Sequence, residues 1–99
     1  MDIAELEPRA DEAVELLSAM ANTKRLLILC QLLDNELSVG ELSERIDLAQ
    51  SPLSQHLARL RAMKLVAARR DGQSIRYRLA SEEVAKMLTT LHGIFCAPK

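Results

Sequence analysis

Two sets of residues in this 99-residue chain carry side chains able to do specific chemistry. The first is a polar and cationic series: Gln50, Ser51, Ser54, Gln55, His56 and Arg59, then Lys64, Arg69, Arg70, Gln73 and Arg76. Short serine, glutamine and histidine side chains offer donors and acceptors that can read base edges in the major groove, where each base pair shows its own pattern. Arginine and lysine suit phosphate oxygens, which position a protein on DNA without reading its sequence. The second set is a pair of cysteines, Cys30 and Cys96. Two thiols can be joined by oxidation and separated by reduction, so a pair that meets can serve as a switch. His92 and Cys96 are spaced i, i+4, one helical turn apart. With Cys30 they make an alternative ligand set for zinc or another thiophilic ion.

Charge supports the first set. The net charge is −1, but it is segregated along the chain. Residues 1–48 hold four Lys/Arg against eleven Asp/Glu, a balance of −7. Residues 49–79 hold seven Lys/Arg (Arg59, Arg61, Lys64, Arg69, Arg70, Arg76, Arg78) against Asp71 alone, a balance of +6. Phosphate attraction depends on the local patch and not on the whole-chain sum, so a near-neutral protein with this distribution is a nucleic-acid candidate.

The elements that must position these residues are legible in the periodicity. A first helix is expected over residues 10–20, after Pro8. Asn22 or Thr23 can cap a second helix to about Leu33, in which Leu26, Leu29, Cys30 and Leu33 fall at i, i+3, i+4, i+7 and define a buried stripe. Ser38 with Glu41 is a capping box opening a short helix to Ile46. The next helix carries Leu53, Leu57, Leu60 and Met63 inward. It starts either with Ser51 as N-cap and Pro52 first, or one or two residues earlier. Residues 66–70 and 74–79 read as two strands around Asp71-Gly72, a hairpin signal. In the second strand Ile75, Tyr77 and Leu79 alternate with Ser74, Arg76 and Arg78, so one face is apolar and the other basic. Ser81, followed by Glu82 and Glu83, starts a last helix to Phe95.

Three helices, a recognition helix, a basic hairpin and a final helix make a winged helix-turn-helix: mainly α, in the α+β class, as one domain over residues 1–99. Its DNA-reading block is residues 38–79. The recognition helix presents Ser51, Ser54, Gln55 and His56 to bases. Arg59 and Lys64 face phosphates, and the wing brings Arg69, Arg70, Gln73 and Arg76 along the backbone or into the minor groove. An aliphatic core this small often gains stability by dimerising. No stretch has the roughly 18 apolar residues of a membrane span. The acidic N-terminus is unlike a signal peptide, so the expected location is the cytoplasm. With no C-x-x-C, G-x-G-x-x-G or P-loop, neither an enzyme nor a cofactor is expected.

The stretch AMANTKRLLILCQLLDNELSVGELS, then LSQHLARLR and a C-terminal cysteine, resembles the ArsR/SmtB family of bacterial repressors, specifically its HlyU/BigR/SqrR-like persulfide- and redox-sensing branch. The resemblance covers nearly the whole chain. It implies a homodimer formed through the first and last helices, here residues 10–20 and 81–95. It implies binding to inverted-repeat operators in double-stranded DNA while the two cysteines are reduced. Release follows when reactive sulfur species bridge them by one or more sulfur atoms, and the pair corresponds to Cys30 and Cys96. Metal-sensing members carry cysteines at positions that fall here on Ser38 and Gly40, or a site on the last helix that falls on Ser81, Glu83, Ile94 and Ala97. Neither set of ligands is present. Ala49 and Pro52 stand where the branch often has Ser and Ala.

Read without the resemblance, Cys30 on its apolar stripe is a small buried hydrophobe and Cys96 an incidental exposed thiol. A sensing role requires the two sulfurs to approach, and at least one thiol to be accessible with a lowered pKa, because the thiolate is the attacking species.

Overall fold

The computed structural model describes residues 1–96. A short α1 (Ile3–Leu6), which sequence reading did not anticipate, leads through a 3-10 turn into α2 (Ala10–Met20) and α3 (Thr23–Asp34). Strand β1 (Leu37–Ser38) precedes α4 (Val39–Ile46) and α5 (Gln50–Ala62). Strands β2 (Val66–Asp71) and β3 (Ser74–Leu79) form the wing, and α6 (Glu82–Phe95) closes the order. The sheet has three antiparallel strands in the order β1-β3-β2, where two were expected. Two residues, Leu37 opposite Tyr77 and Ser38 opposite Arg76, make the extra strand, too short for alternation to show in the sequence.

Aliphatic side chains from four helices meet in one core: Ile28, Leu29 and Leu32 of α3, Leu42 and Ile46 of α4, Leu53, Leu57 and Leu60 of α5, Val84 and Leu88 of α6. Each such side chain contributes about 1.5–3 kcal/mol by leaving water. The buried stripe of α3 is Arg25, Ile28, Leu29 and Leu32, not the expected Leu26, Leu29, Cys30 and Leu33. Leu26 and Leu33 are half-buried, and Cys30 is exposed. The run LLILCQLL is apolar on nearly every side, so spacing alone could not fix which side faces inward.

Arg25 is buried because its donors have acceptors. Its Nε donates to the Ala19 carbonyl at 2.7 Å and its Nη2 to the Ser18 carbonyl at 3.1 Å, both at the carboxyl end of α2. A guanidinium there also meets the negative end of that helix. The Asn22 side chain caps α3 by accepting from the Arg25 amide at 3.1 Å.

The helix-turn-helix is fixed by its caps. Ser38 and Glu41 form the expected capping box at α4, with Ser38 Oγ accepting from the Glu41 amide and Glu41 Oε1 from the Ser38 amide. Asp47 ends α4 in the left-handed conformation at φ 56°, a region asparagine and aspartate enter more readily than most residues. Helix α5 begins at Gln50, the earlier of the two expected starts, with Ala49 as N-cap and no side-chain cap. Pro52 is then the third helical residue, still within the first turn, where amides lack helical partners.

The exit of α5 is a Schellman turn. Lys64 takes φ 63°, its amide donates to the Arg61 carbonyl at 2.9 Å, and the Leu65 amide donates to the Leu60 carbonyl at 3.0 Å. The buried Leu65 then accepts the Ala80 amide at 2.9 Å, which ties the foot of the wing to the approach of α6. In the wing, Asp71 pairs with Ser74, so the two loop residues are Gly72 and Gln73, one place later than the Asp-Gly signal suggested. Gly72 alone of the two has positive φ, at 63°, the pattern of a type II′ turn. At the start of α6, Ser81 Oγ accepts from the Val84 amide at 3.1 Å, and Glu82 and Glu83 occupy the first turn, as expected. Among the described residues no single helix is long and apolar enough to cross a membrane.

Candidate nucleic-acid interface and cysteine pair

Burying Leu53, Leu57 and Leu60 turns the opposite face of α5 outward. Gln50, Ser51, Ser54, Gln55 and Arg59 are exposed there, with Arg61 beside them. None of these side chains hydrogen-bonds within the described residues, so their donors and acceptors are available to a ligand. His56 differs in being half-buried. Burial first, then the Arg25 and Arg59 guanidiniums, push its pKa below the ordinary histidine value. Its imidazole is therefore neutral at pH 7, with one nitrogen to donate and one to accept.

The wing is arranged otherwise. Lys64, Arg70, Gln73 and Arg78 are exposed, and Arg70 Nε donates only to the Gly72 carbonyl, at 3.2 Å. Arg69 and Arg76, directly opposite one another on β2 and β3, are both engaged inside the chain. Arg69 donates to Glu36, and Arg76 lies between Glu36 and Glu41. The structure thus holds two of the sequence-expected contacts to DNA in ion pairs midway along the wing. Sequence reading counted Arg61 and Arg78 in the basic block without naming them as contacts, and overlooked Glu36. Its partners lie 33 and 40 residues away, which leaves no local signal.

Both cysteines are exposed, Cys30 on α3 and Cys96 at the C-cap of α6, and these two helices pack together. Partial burial pushes the Cys30 thiol up, and the like charge of Cys96 pushes it further. Cys30 is thus not the thiol of lowered pKa that sensing was expected to need. Among the described residues no three of His, Cys, Asp and Glu are placed to hold a metal ion, so Cys30, His92 and Cys96 do not form the alternative ligand set. Of the family's other metal positions, Ser38 and Ser81 are spent as helix caps, while Ala97 lies outside the described residues.

Residues 22–68 match the family described as "Bacterial regulatory protein, arsR family". Over 96 residues the chain is 55% identical to the transcriptional activator HlyU of Vibrio cholerae serotype O1, covering 97% of this chain and 89% of that one. The chain belongs to the ArsR family. Reduced HlyU from Vibrio cholerae N16961 superposes with a TM-score of 0.87 at 56% identity, covering 93% of this chain and 97% of that one. The transcriptional repressor BigR from Xylella fastidiosa superposes at 0.92 with 39% identity, over 99% of this chain and all of that one. A third ArsR-like structure, the homodimeric winged helix-turn-helix DNA-binding domain Mb0332 from Mycobacterium bovis, gives 0.77 at 30% identity, over 89% of this chain and 82% of that one. This ArsR protein is accordingly a winged-helix, DNA-binding transcriptional regulator.

Proposed function

We propose that this ArsR protein is a cytoplasmic, homodimeric repressor. It holds an inverted-repeat operator through α5 and the wing, and releases it when reactive sulfur species bridge Cys30 to Cys96. One observation carries the switch: the two exposed thiols lie on packed helices, Cys30 on α3 and Cys96 at the C-cap of α6. Repression is the sign in BigR's name. The homodimer draws support from Mb0332 and from the exposed hydrophobics on the two expected dimer elements, Val14 and Leu17 on α2 and Ile94 and Phe95 on α6.

Partial burial and the raised Cys30 thiol make Cys96 the first attacker. Its thiolate takes the outer sulfur of one glutathione persulfide and releases glutathione. The new Cys96 persulfide attacks the inner sulfur of a second glutathione persulfide and expels hydrosulfide. Cys30 then attacks the inserted sulfur and expels a second glutathione. The protein loses two hydrogens and gains one bridging sulfur, and the two persulfides leave as two thiols and one hydrosulfide. The bridge ties α3 to the end of α6. Because α6 also faces the second copy, the two α5 helices lose the spacing of about one DNA turn that half-sites demand.

The test is mass spectrometry of reduced protein after glutathione persulfide and, separately, hydrogen peroxide, with promoter binding followed in parallel. A Cys30–Cys96 cross-link holding added sulfur, formed with persulfide and accompanied by release of DNA, supports the proposal. A plain disulfide formed equally by peroxide makes the protein a general thiol switch. Unlinked cysteines after both treatments overturn the mechanism.

Cys30 supplies a pH test of the same scheme. Its thiol is raised, so its thiolate fraction at neutral pH is below that of an ordinary cysteine and grows as pH climbs. In a Cys96→Ser variant, the alkylation rate of Cys30 should still be rising above about pH 8.5, the usual thiol midpoint, because burial persists without the neighbour. A rate that levels off near neutrality would make Cys30 the activated thiol and reverse the order of attack.

A further inference from the structure

The wing carries more positive charge than it offers to solvent. Glu36 Oε1 accepts from Arg69 Nε at 2.7 Å and lies 2.6 Å from Arg69 Nη2 and 3.6 Å from Arg76 Nε. Arg76 Nη2 also donates to the backbone carbonyl of Glu36 at 3.0 Å and lies 3.3 Å from Glu41 Oε1. Two carboxylates therefore offset two guanidiniums in a single cluster. The Glu36 carboxyl is held below the ordinary carboxylate range, by Arg69 foremost and by Arg76 and Arg78, so it stays ionised wherever DNA is bound. The Arg69 side chain is 50% exposed, and phosphate could reach it if Glu36 let go.

We infer that Glu36 is a charge mask and a determinant of DNA specificity: it withholds Arg69 and Arg76 from phosphate, so the wing draws DNA of arbitrary sequence with fewer charges. Non-specific affinity follows the number of phosphates neutralised, with each contact adding about 0.9 to the slope of log Kobs against log salt. Biological selectivity follows the ratio of specific to non-specific affinity, because the genome supplies an excess of wrong sites. A residue that removes sequence-blind attraction while leaving the α5 face untouched raises that ratio. The inference rests on DNA binding through the wing.

The test uses the full chain and a short duplex of arbitrary sequence, with binding followed by fluorescence anisotropy over a series of salt concentrations. The variants are Glu36→Gln, Arg69→Ala and Arg70→Ala, each checked by thermal melting. Glu36→Gln should bind this duplex more tightly, by on the order of tenfold at 0.1 M salt, with a slope steeper by about 1 to 2. Arg69→Ala should leave the slope unchanged, while Arg70→Ala should lower it by about 1. The mask is overturned if Glu36→Gln binds more weakly or with the same slope, which would make the cluster a brace for the wing. It is also overturned if Arg69→Ala loses as much slope as Arg70→Ala. Should Glu36→Gln fail to fold, the Arg69/Arg70 pair decides alone. Absence of binding by the unaltered protein at low salt removes the DNA reading and the mask together; binding with an unaltered Glu36→Gln slope removes only the mask.

Discussion

Helix α5 and the wing lie side by side in the basic block and treat their polar side chains in opposite ways. Gln50, Ser51, Ser54, Gln55 and Arg59 on α5 are exposed and unbonded within the described residues, above a floor of fully buried leucines. Arg69 and Arg76 in the wing are held by Glu36 and Glu41. A rigid helix with free donors and acceptors can select among bases, because any base that leaves them unpaired is penalised. A hairpin whose cations are partly neutralised adjusts how strongly the protein is drawn to DNA at all. A count of basic residues in such a block therefore overstates the cations that stand clear of the chain's own carboxylates.

The largest change should come from beneath the helix. Leu57→Ala removes a fully buried side chain behind the exposed face and should cost about 2–5 kcal/mol of stability in chemical unfolding. A cost near zero would mean that α5 is not held by its leucines. Gln55→Ala should shift sequence preference at one base pair by about 1–3 kcal/mol in a selection on randomised duplexes, with arbitrary-sequence affinity unchanged. Uniform weakening would instead make α5 another phosphate contact and erase the contrast with the wing. Arg59→Ala, at the far end of the helix, should lower the salt slope by about 0.9 on every duplex. Lys64→Gly is the finest probe. It relieves a left-handed residue and should stabilise the fold by about 0.5–1 kcal/mol. The same change should also flatten the salt slope. Stabilisation with an unaltered slope would take Lys64 off the phosphate face.

Much of this was legible because local chemistry and tertiary structure agree. Ser38 with Glu41, Ser81 ahead of its acidic pair, and the 53-57-60 leucine spacing each act within a turn or two of chain, and each appears as read. What was not legible lies where local pattern is silent or saturated. β1 is two residues long and exists only because β3 passes beside it. In α3, leucines on every side hid the phase, so Cys30 was placed inward when Arg25 takes that side instead. Burying an arginine requires acceptors, and the Ser18 and Ala19 carbonyls supply them through a fold of the chain that no periodicity announces. The Glu36 cluster joins the α3–α4 connection to the wing across more than thirty residues, and composition showed only the arginines.

Leu65 has a consequence for motion. Its amide closes the last turn of α5 on Leu60 and its carbonyl receives Ala80, so the recognition helix, the root of the wing and the approach to α6 share one buried residue. A fluctuation that frees either bond loosens all three, and backbone amides in these segments should show one common opening free energy in hydrogen–deuterium exchange, as a single cooperative unit. The tip around Gly72 and Gln73, beyond that knot, is left to open on its own, so the part of the wing nearest a passing duplex can move while its root stays in register with the helix that reads it.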